Sequence, residues 1–333
     1  MNQLLPWHTA QWETVTSARA AGRLHHALLA TGPAGVGKAQ FLAALAAWLL
    51  CSSPNGDQPC GACRACLQNT AGTHPDCAVL SPDPLERAAF STYPGQRCQM
   101  ESSRKKPATV ISVDQVRELS TRLVTTAHYG HYKLAVLLPA DALNLAAANA
   151  LLKLLEEPPD NTVFLLLSQR PAFLPATLRS RCQMLRFSAP PTSQARAWLN
   201  SDGPAADLAL ELGGGAPLQA AKLLAQDLET VWNVVCVGLA GLLAGTADPM
   251  RLARDWLKLP QQTLDTALYG WLRRALRNAT GAPDAKLGNT FRTPPPQRLQ
   301  AFASELEDFL RLREHPLSRD LALERLLYPL WVN

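Results

Sequence analysis

The chain has 333 residues, of which 47% are apolar, so it is long enough for two or three domains with a sizeable core. Charged residues make up only 18%, and a formal net charge of +5 is too small to argue for a nucleic-acid-binding protein. The sequence has no run of 18 apolar residues and no basic-then-apolar N-terminus, so we expect a cytoplasmic protein without a membrane span or signal peptide.

The first 190 residues read as an α/β domain. Continuous apolar runs are typical of strands that helices cover on both faces, as in a parallel sheet. Four such runs predict strands, namely HALLATG (26–32), KLAVLLP (133–139), TVFLLLS (162–168) and MLRFS (184–188). Helical patterns lie between them, at about 38–50, 113–123 and 143–157.

Later segments differ in composition. The stretch from Ser81 to Thr109 is rich in Pro, Ser and charge, which favours a long surface loop to which we assign no role. APP at 189–191 marks a domain boundary, after which a small helical unit runs to about 225. From about Leu228 onward, apolar residues recur at helical spacing, which predicts a helical bundle with an interaction role.

Four of the eight cysteines lie close together in the sequence CSSPNGDQPCGACRAC. Their spacing is C-x8-C-x2-C-x2-C, and C-x2-C pairs present thiolates from tight turns to a tetrahedral Zn²⁺. Free thiols, disulfides and an iron–sulfur cluster are the alternatives to a metal site of this kind. A complete set of four thiolates leaves no open coordination position, so we expect a structural zinc at Cys51, Cys60, Cys63 and Cys66.

Residues 32–40, GPAGVGKAQ, match the phosphate-binding loop pattern G-x-x-x-x-G-K at Gly32, Gly37 and Lys38. The position after the lysine should carry the hydroxyl that holds Mg²⁺, and it is Ala39. The alternative is a glycine-rich turn that matches the pattern by chance.

A working nucleotide hydrolase of this class also needs an acid at the end of a neighbouring strand. Leu138 and Pro139 stand there instead, and Asp141 follows beyond the expected position of the metal. Because two separate Mg²⁺ ligands are missing, we expect that this chain does not hydrolyse nucleotide.

The segment TLRSRCQML (177–185) contains Arg181. An ordinary solvated arginine is one interpretation. The other is an arginine finger, a guanidinium that stabilises the charge of phosphoryl transfer in a neighbour's site.

Several segments in order carry a family resemblance: HHALLATGPAGVGKAQ, the cysteine segment, AGTHPD (71–76), AAANALLKLLEEPP (146–159), LPATLRSRC (174–182) and RDLALERLL (319–327). Over nearly its whole length the chain resembles the delta-prime family of clamp-loader subunits of bacterial DNA polymerase III. The pairing of ANALLKLLEEPP with SRC is highly specific for clamp-loader AAA+ subunits.

The resemblance implies an AAA+ RecA-like domain carrying the zinc module (1–189), a helical lid (190–226) and a helical collar for oligomerisation (227–333). It implies a rigid, non-hydrolysing stator that assembles with delta and gamma/tau, and through that complex meets the sliding clamp and primer–template DNA. Arg181 would reach the adjacent gamma/tau subunit's ATP, and the four cysteines would correspond to the family's zinc ligands.

The resemblance also implies a lid arginine near the γ-phosphate, and Leu218 stands at that position, whereas Ser168 keeps a polar group at its strand end. Since Gly32, Gly35, Gly37 and Lys38 survive, the resemblance allows weak binding of ATP or another nucleotide without turnover.

Two other functions compete with the assembly subunit. An autonomous AAA+ ATPase would use the loop at 32–38 as its own catalytic site. A zinc-dependent nucleic-acid binder would use the cysteine segment, but that segment holds only one basic residue, Arg64, and no aromatic residue for base stacking.

Overall fold

The computed structural model of the protein describes residues 4–82, 110–129, 132–281, 293–311 and 319–332. The chain divides into two compact units, Met1–Pro190 and Pro191–Asn333. The surface loop predicted from Ser81 to Thr109 lies outside the described residues after position 82.

The first unit is built on a parallel sheet in the order β2-β3-β4-β1-β5. The strands are β1 (Ala27–Thr31), β2 (Cys77–Leu80), β3 (Lys133–Leu137), β4 (Thr162–Ser168) and β5 (Gln183–Arg186). Every residue of β1, β3 and β4 is buried, which explains why they appear as unbroken apolar runs rather than alternating patterns.

The helices of the first unit are α1 (Thr9–Ala20), α2 (Lys38–Leu50), α3 (Arg64–Ala71), α4 (Val113–Val124), α5 (Leu145–Glu156) and α6 (Ala176–Arg179). Helix α5 begins two residues later than predicted, because Ala140–Ala142 form a 3-10 turn and the Asn144 side chain then caps the helix by accepting from the Ala147 amide. The fold class predicted for this part of the chain, a parallel sheet flanked by helices, is confirmed.

Strand β2 is missing from the sequence-based prediction. Its four residues, CAVL, follow the buried His74 and Asp76 and form too short an apolar run to stand out. The structure places β2 at the edge of the sheet, paired with β3.

The second unit is helical throughout its described residues. Its helices are α7 (Thr192–Leu199), α8 (Pro204–Leu212), α9 (Pro217–Leu224), α10 (Leu228–Leu243), α11 (Pro249–Trp256), α12 (Gln261–Ala279), α13 (Pro296–Arg311) and α14 (Arg319–Leu327). The five helices from α10 through α14 share a large core around Trp256, Trp271 and Phe302. The four helices from α7 through α10 share a smaller core around Leu210 and Leu223.

Polar contacts also join the predicted lid to the predicted collar. The guanidinium of Arg274 in α12 forms a fork with the carboxylate of Glu211 in α8, with Nε–Oε1 3.1 Å and Nη2–Oε2 2.5 Å. The same guanidinium lies 4.7 Å from the ring centroid of Trp232 in α10. A further division of this unit near residue 226 stays a prediction.

Among the described residues, no single helix is long and apolar enough to cross a membrane. The helices Pro217–Leu224 and Leu228–Leu243 together reach that length and apolar composition, with a bend of 78° between them.

Candidate functional site

The phosphate loop leaves the carboxyl end of β1 and leads into α2, as the sequence predicts. Gly35 (φ 77°) and Gly37 (φ 91°) have left-handed backbone conformations that favour glycine. A Cβ on Gly32 would lie 2.0 Å from the carbonyl oxygen of Phe187, just beyond β5. The three glycines are therefore required by the local backbone, whether or not a nucleotide binds.

Lys38 lies at the start of α2, with a side chain that turns into the loop. The residue is only 4% exposed, and Nζ donates to the carbonyl oxygens of Gly32 and Pro33, both at 2.6 Å. The lysine therefore serves as a structural link across its own loop in this conformation.

The chain segment before α1 packs on the same loop. The side chains of Trp7 (Nε1) and His8 (Nε2) both donate to the carbonyl oxygen of Val36, each at 2.9 Å, so His8 carries its proton on Nε2. The His8 ring is fully buried and packs edge-on against Phe41 and Phe187. Burial lowers the pKa of His8 to about 4, although the bond to Val36 opposes the shift.

The end of β3 offers no acid to this loop. Leu138 is buried, and the Asp141 carboxylate is engaged elsewhere. It accepts from the Ser168 hydroxyl at 2.5 Å and from the amides of Gln169 and Arg170 at 2.9 and 3.1 Å. Asp141 thus anchors the turn after β4, and Ser168, the predicted polar sensor, binds this carboxylate.

Arg181 lies at the amino ends of the strands, opposite the phosphate loop, two residues before β5 begins. Its side chain is 37% exposed; Nη2 lies 2.6 Å from Oε1 of Glu156, and Nη1 donates to the carbonyl oxygen of Thr177 at 3.0 Å. The contact with Glu156, which lies 25 positions upstream within the segment LLKLLEEPP, is not predicted from the sequence.

The register of β5 shows at which end of the strands Arg181 and the phosphate loop lie. Gln183 pairs with Leu28 and Arg186 with Thr31, so β5 runs from the amino end of the sheet toward the phosphate loop. The four steps from Gln183 to Phe187 span about 13 Å at the usual rise. Arg181 precedes Gln183, and its guanidinium contacts Glu156 at the end of α5, so the length of β5 lies between it and its own chain's loop.

The cysteine module follows α2 and leads into α3, whose N-cap is Cys63. The four sulfur atoms all lie within 4.8 Å of one another. The Cys51 sulfur is 3.5 Å from that of Cys60 and 3.9 Å from that of Cys63, and the Cys60 and Cys66 sulfurs are 3.9 Å apart. These separations are too long for disulfides.

The module fits a tetrahedral zinc. Bonds of about 2.3 Å in a tetrahedron put neighbouring sulfur atoms about 3.8 Å apart, close to the observed separations. An iron–sulfur cluster places several iron and sulfide atoms between its thiolates and needs a wider cage. The four cysteines can therefore hold a metal ion, as the spacing predicts.

Hydrogen bonding lowers the pKa of Cys63 and so favours its thiolate form. Burial acts to raise the pKa of Cys63, but hydrogen bonds from the backbone at Cys66 and Ser52, and from the Cys66 and Cys60 side chains, bring it down to about 6. Burial and the neighbouring thiols of Cys51 and Cys63 raise the pKa of Cys66. A bound cation would favour the thiolate form of all four.

Two tryptophans tie the module to the domain. Trp12 Nε1 donates to Oδ2 of Asp57 and Trp48 Nε1 to the carbonyl oxygen of Gly56, both at 3.1 Å. The module is thus fastened to α1 and α2 by its first turn, which is a structural arrangement rather than a catalytic one.

The chain is similar to several known proteins. The family model described as "DNA polymerase III, delta subunit" matches residues 7–191. DNA polymerase III subunit delta′ of Pseudomonas aeruginosa is 37% identical over 284 residues, which cover 83% of this chain and 78% of the relative. The same subunit of Yersinia pestis is 36% identical over 285 residues, covering 82% and 75%.

Among solved structures, a DNA polymerase III gamma subunit-related protein from Thermotoga maritima has a similar fold. Its TM-score is 0.52 at 17% identity, and the match covers 96% of this chain and 98% of that one. At this identity the likeness concerns the fold alone.

Proposed function

The chain belongs to the delta-prime family of bacterial DNA polymerase III subunits, and we propose from that membership that it acts in the clamp loader as a non-hydrolysing stator. In this role it assembles with the delta and gamma/tau subunits and helps to load the sliding clamp onto primer–template DNA in the cytoplasm. It supplies Arg181 to the ATP of the neighbouring subunit.

One observation carries the proposal that Arg181 acts on another chain. The guanidinium lies at the amino edge of the sheet, whereas the phosphate loop lies at the carboxyl edge. The backbone from Gln183 to Phe187, about 13 Å long, lies between them and is longer than an arginine side chain. An exposed arginine of this kind is suited to stabilise phosphoryl-transfer charge across a subunit interface.

The phosphate loop supports a non-hydrolysing role. Ala39 offers no hydroxyl to a metal ion, Leu138 offers no acid, and the carboxylate of Asp141 is used by the turn after β4. Gly32, Gly35, Gly37 and Lys38 keep the backbone of a phosphate cradle, so the loop binds ATP or another nucleotide weakly and without turnover. For Lys38, binding means exchanging two loop carbonyls for phosphate oxygens.

The contacts within the second unit support a rigid subunit. Leu212 packs against the collar core, and a Cβ on Gly270 would lie 2.1 Å from its Cδ2. Together with the Glu211–Arg274 fork, this close packing leaves little freedom for the helical lid to move against the helical collar.

We assign a structural zinc to Cys51, Cys60, Cys63 and Cys66. Four thiolates complete its coordination, so it stabilises the module and takes no part in phosphoryl transfer. Metal analysis of the purified chain should give one zinc per chain. A preparation that is folded with all four thiols reactive and no metal would contradict the assignment.

The arginine proposal is tested in a reconstituted clamp loader whose other ATP sites are disabled, so that turnover reports only the site next to this chain. Arg181→Ala should lower kcat by about 10³-fold or more, as for other fingers supplied in trans. Arg186→Ala, at the carboxyl end of β5 and exposed, is the control and should leave kcat unchanged. Wild-type turnover with Arg181→Ala would refute the finger.

An autonomous AAA+ ATPase stays the alternative function, because the loop retains its three glycines and its lysine. The isolated chain would then hydrolyse ATP with Mg²⁺, and Lys38→Ala would abolish that activity. We expect no turnover above background.

A further inference from the structure

The ion pair between Arg181 and Glu156 is not explained by a contribution to the stability of the fold. The Arg181 side chain is 37% exposed and that of Glu156 is 48% exposed. Ion pairs with this much exposure contribute little to stability. An acid at the last residue of a helix is also disfavoured by the helix dipole unless a cation lies beside it. Stability alone therefore does not account for this pair.

Glu156 is held at a fixed point of the fold. The preceding residue, Leu155, is buried in the core between the sheet and α5, and its carbonyl oxygen lies 3.0 Å from Nε2 of His26. His26 directly precedes β1, an interior strand of the sheet, so the end of α5 is fastened to the start of that strand. The carboxylate of Glu156 thus extends from a rigid base.

The contacts of Arg181 restrain its side chain without using up its donors. Nη1 donates to the carbonyl oxygen of Thr177, and Nη2 forms an ion pair with Oε1 of Glu156. A guanidinium has five N–H groups, so these two contacts leave others for an external acceptor. Two anchors on a long side chain limit its rotamers while one side of the guanidinium can still bind an anion.

We propose that Glu156 is a positioning residue for Arg181, holding the guanidinium in the orientation in which it meets the neighbouring subunit's phosphates. An unrestrained arginine would lose side-chain entropy on being ordered, and the carboxylate removes part of that loss in advance. This inference rests on the proposed finger role of Arg181. It adds the residue within the same chain that prepares the finger before assembly.

Glu157 provides a matched control. It is the next residue, it is also exposed, and its carboxylate has no contact among the described residues. Substitution of Glu157 changes the charge at the end of α5 as much as substitution of Glu156 does, but it leaves the pair with Arg181 intact.

The experiment uses the reconstituted clamp loader with its other ATP sites disabled. Glu156→Ala should lower kcat about tenfold with KM changed less than about twofold, because the ATP-binding residues lie in the neighbouring subunit. Glu156→Gln, which keeps an acceptor oxygen, should lower kcat about threefold, and Glu157→Ala should have no effect. In the Arg181→Ala background, Glu156→Ala should cause no further loss, since the two residues act through one guanidinium.

Different outcomes separate this inference from the proposed function. If Arg181→Ala lowers kcat but Glu156→Ala leaves it unchanged or raises it, the positioning role is wrong while the finger stands. Equal losses with Glu156→Ala and Glu157→Ala would point to the charge of the helix end and would also overturn it. Wild-type turnover with Arg181→Ala would remove the finger itself. Should Glu156→Ala fail to assemble, Glu156→Gln and its kcat decide the matter.

Discussion

The phosphate loop and Arg181 lie at opposite edges of one parallel sheet, and their cationic groups have opposite surroundings. Lys38 is buried and donates to two carbonyl oxygens of its own loop. Arg181 is partly exposed, and its ion pair with Glu156 and its hydrogen bond to Thr177 leave other N–H groups for an external acceptor. A motif kept in the sequence can therefore serve the fold, as Lys38 does, while Arg181 is the cation that we propose for a partner's site.

The substitution Gly37→Ala tests whether the phosphate loop serves the fold, and it has the largest expected effect on stability. The new Cβ would lie 2.3 Å from Cδ1 of Leu5 and 2.8 Å from Cε1 of His8, on a backbone with φ 91°. The leucine end can shift, but the buried His8 ring cannot move easily. We expect the free energy of unfolding of the full chain, measured in urea, to fall by about 3 kcal/mol.

Gly22→Ala is the control for this measurement. Gly22 also has a left-handed backbone, with φ 64°, but nothing lies within 4 Å of its Cβ position. Conformational strain alone should lower the free energy of unfolding by about 1 kcal/mol. Equal effects at both glycines would contradict the packing of the N-terminal segment on the loop.

The second test uses pH. Burial depresses the pKa of His8 to about 4 in the folded chain, against about 6.5 when unfolded. The unfolded chain therefore binds the proton first, so the contribution of His8 to stability is complete above about pH 6.5 and is lost as pH falls toward 4. Between pH 7 and pH 5 this loss amounts to about 2 kcal/mol.

His8→Phe, which keeps a ring against Phe41 and Phe187, should remove that increment of pH dependence in urea titrations at the two pH values. Arg181→Ala, at the other edge of the sheet, should keep it in full. Identical pH dependence in wild type and His8→Phe would show that the imidazole over the loop is not buried in its neutral form.

The smallest expected effect concerns Asp141→Asn. The carboxylate accepts three hydrogen bonds from the turn after β4, and an amide side chain offers only one oxygen for them. The free energy of unfolding should fall by about 1 kcal/mol, measured in urea. Asp160→Asn is the control, because Asp160 is exposed and its carboxylate has no contact among the described residues. A larger effect on ATP binding with Mg²⁺ than on stability would instead make Asp141 a metal ligand.

Local patterns account for what the sequence could predict. The cysteine spacing predicts a metal site because all four ligands come from one short segment, and unbroken apolar runs predict β1, β3 and β4 because both faces of these strands are buried. The continuity of the loop with β1 and α2 is likewise a local property.

Contacts between residues that are distant in the sequence could not be predicted from it. Nothing in TAQWETVTSARA marks α1 clearly, since only Trp12 and Val15 of this helix are buried. The packing of His8 on Val36 joins positions 28 apart, and the pairing of Glu156 with Arg181 joins positions 25 apart. Such contacts depend on how strands and helices are arranged in space, which no local pattern encodes.

We propose that Arg181, and not Lys38, serves ATP hydrolysis. The test is kcat for ATP at the neighbouring site of the reconstituted complex, compared between Arg181→Ala and Lys38→Met. We expect a loss of about 10³-fold for Arg181→Ala and a change of less than about twofold for Lys38→Met. Full turnover with Arg181→Ala, together with its loss in Lys38→Met, would show that the two residues have the opposite roles.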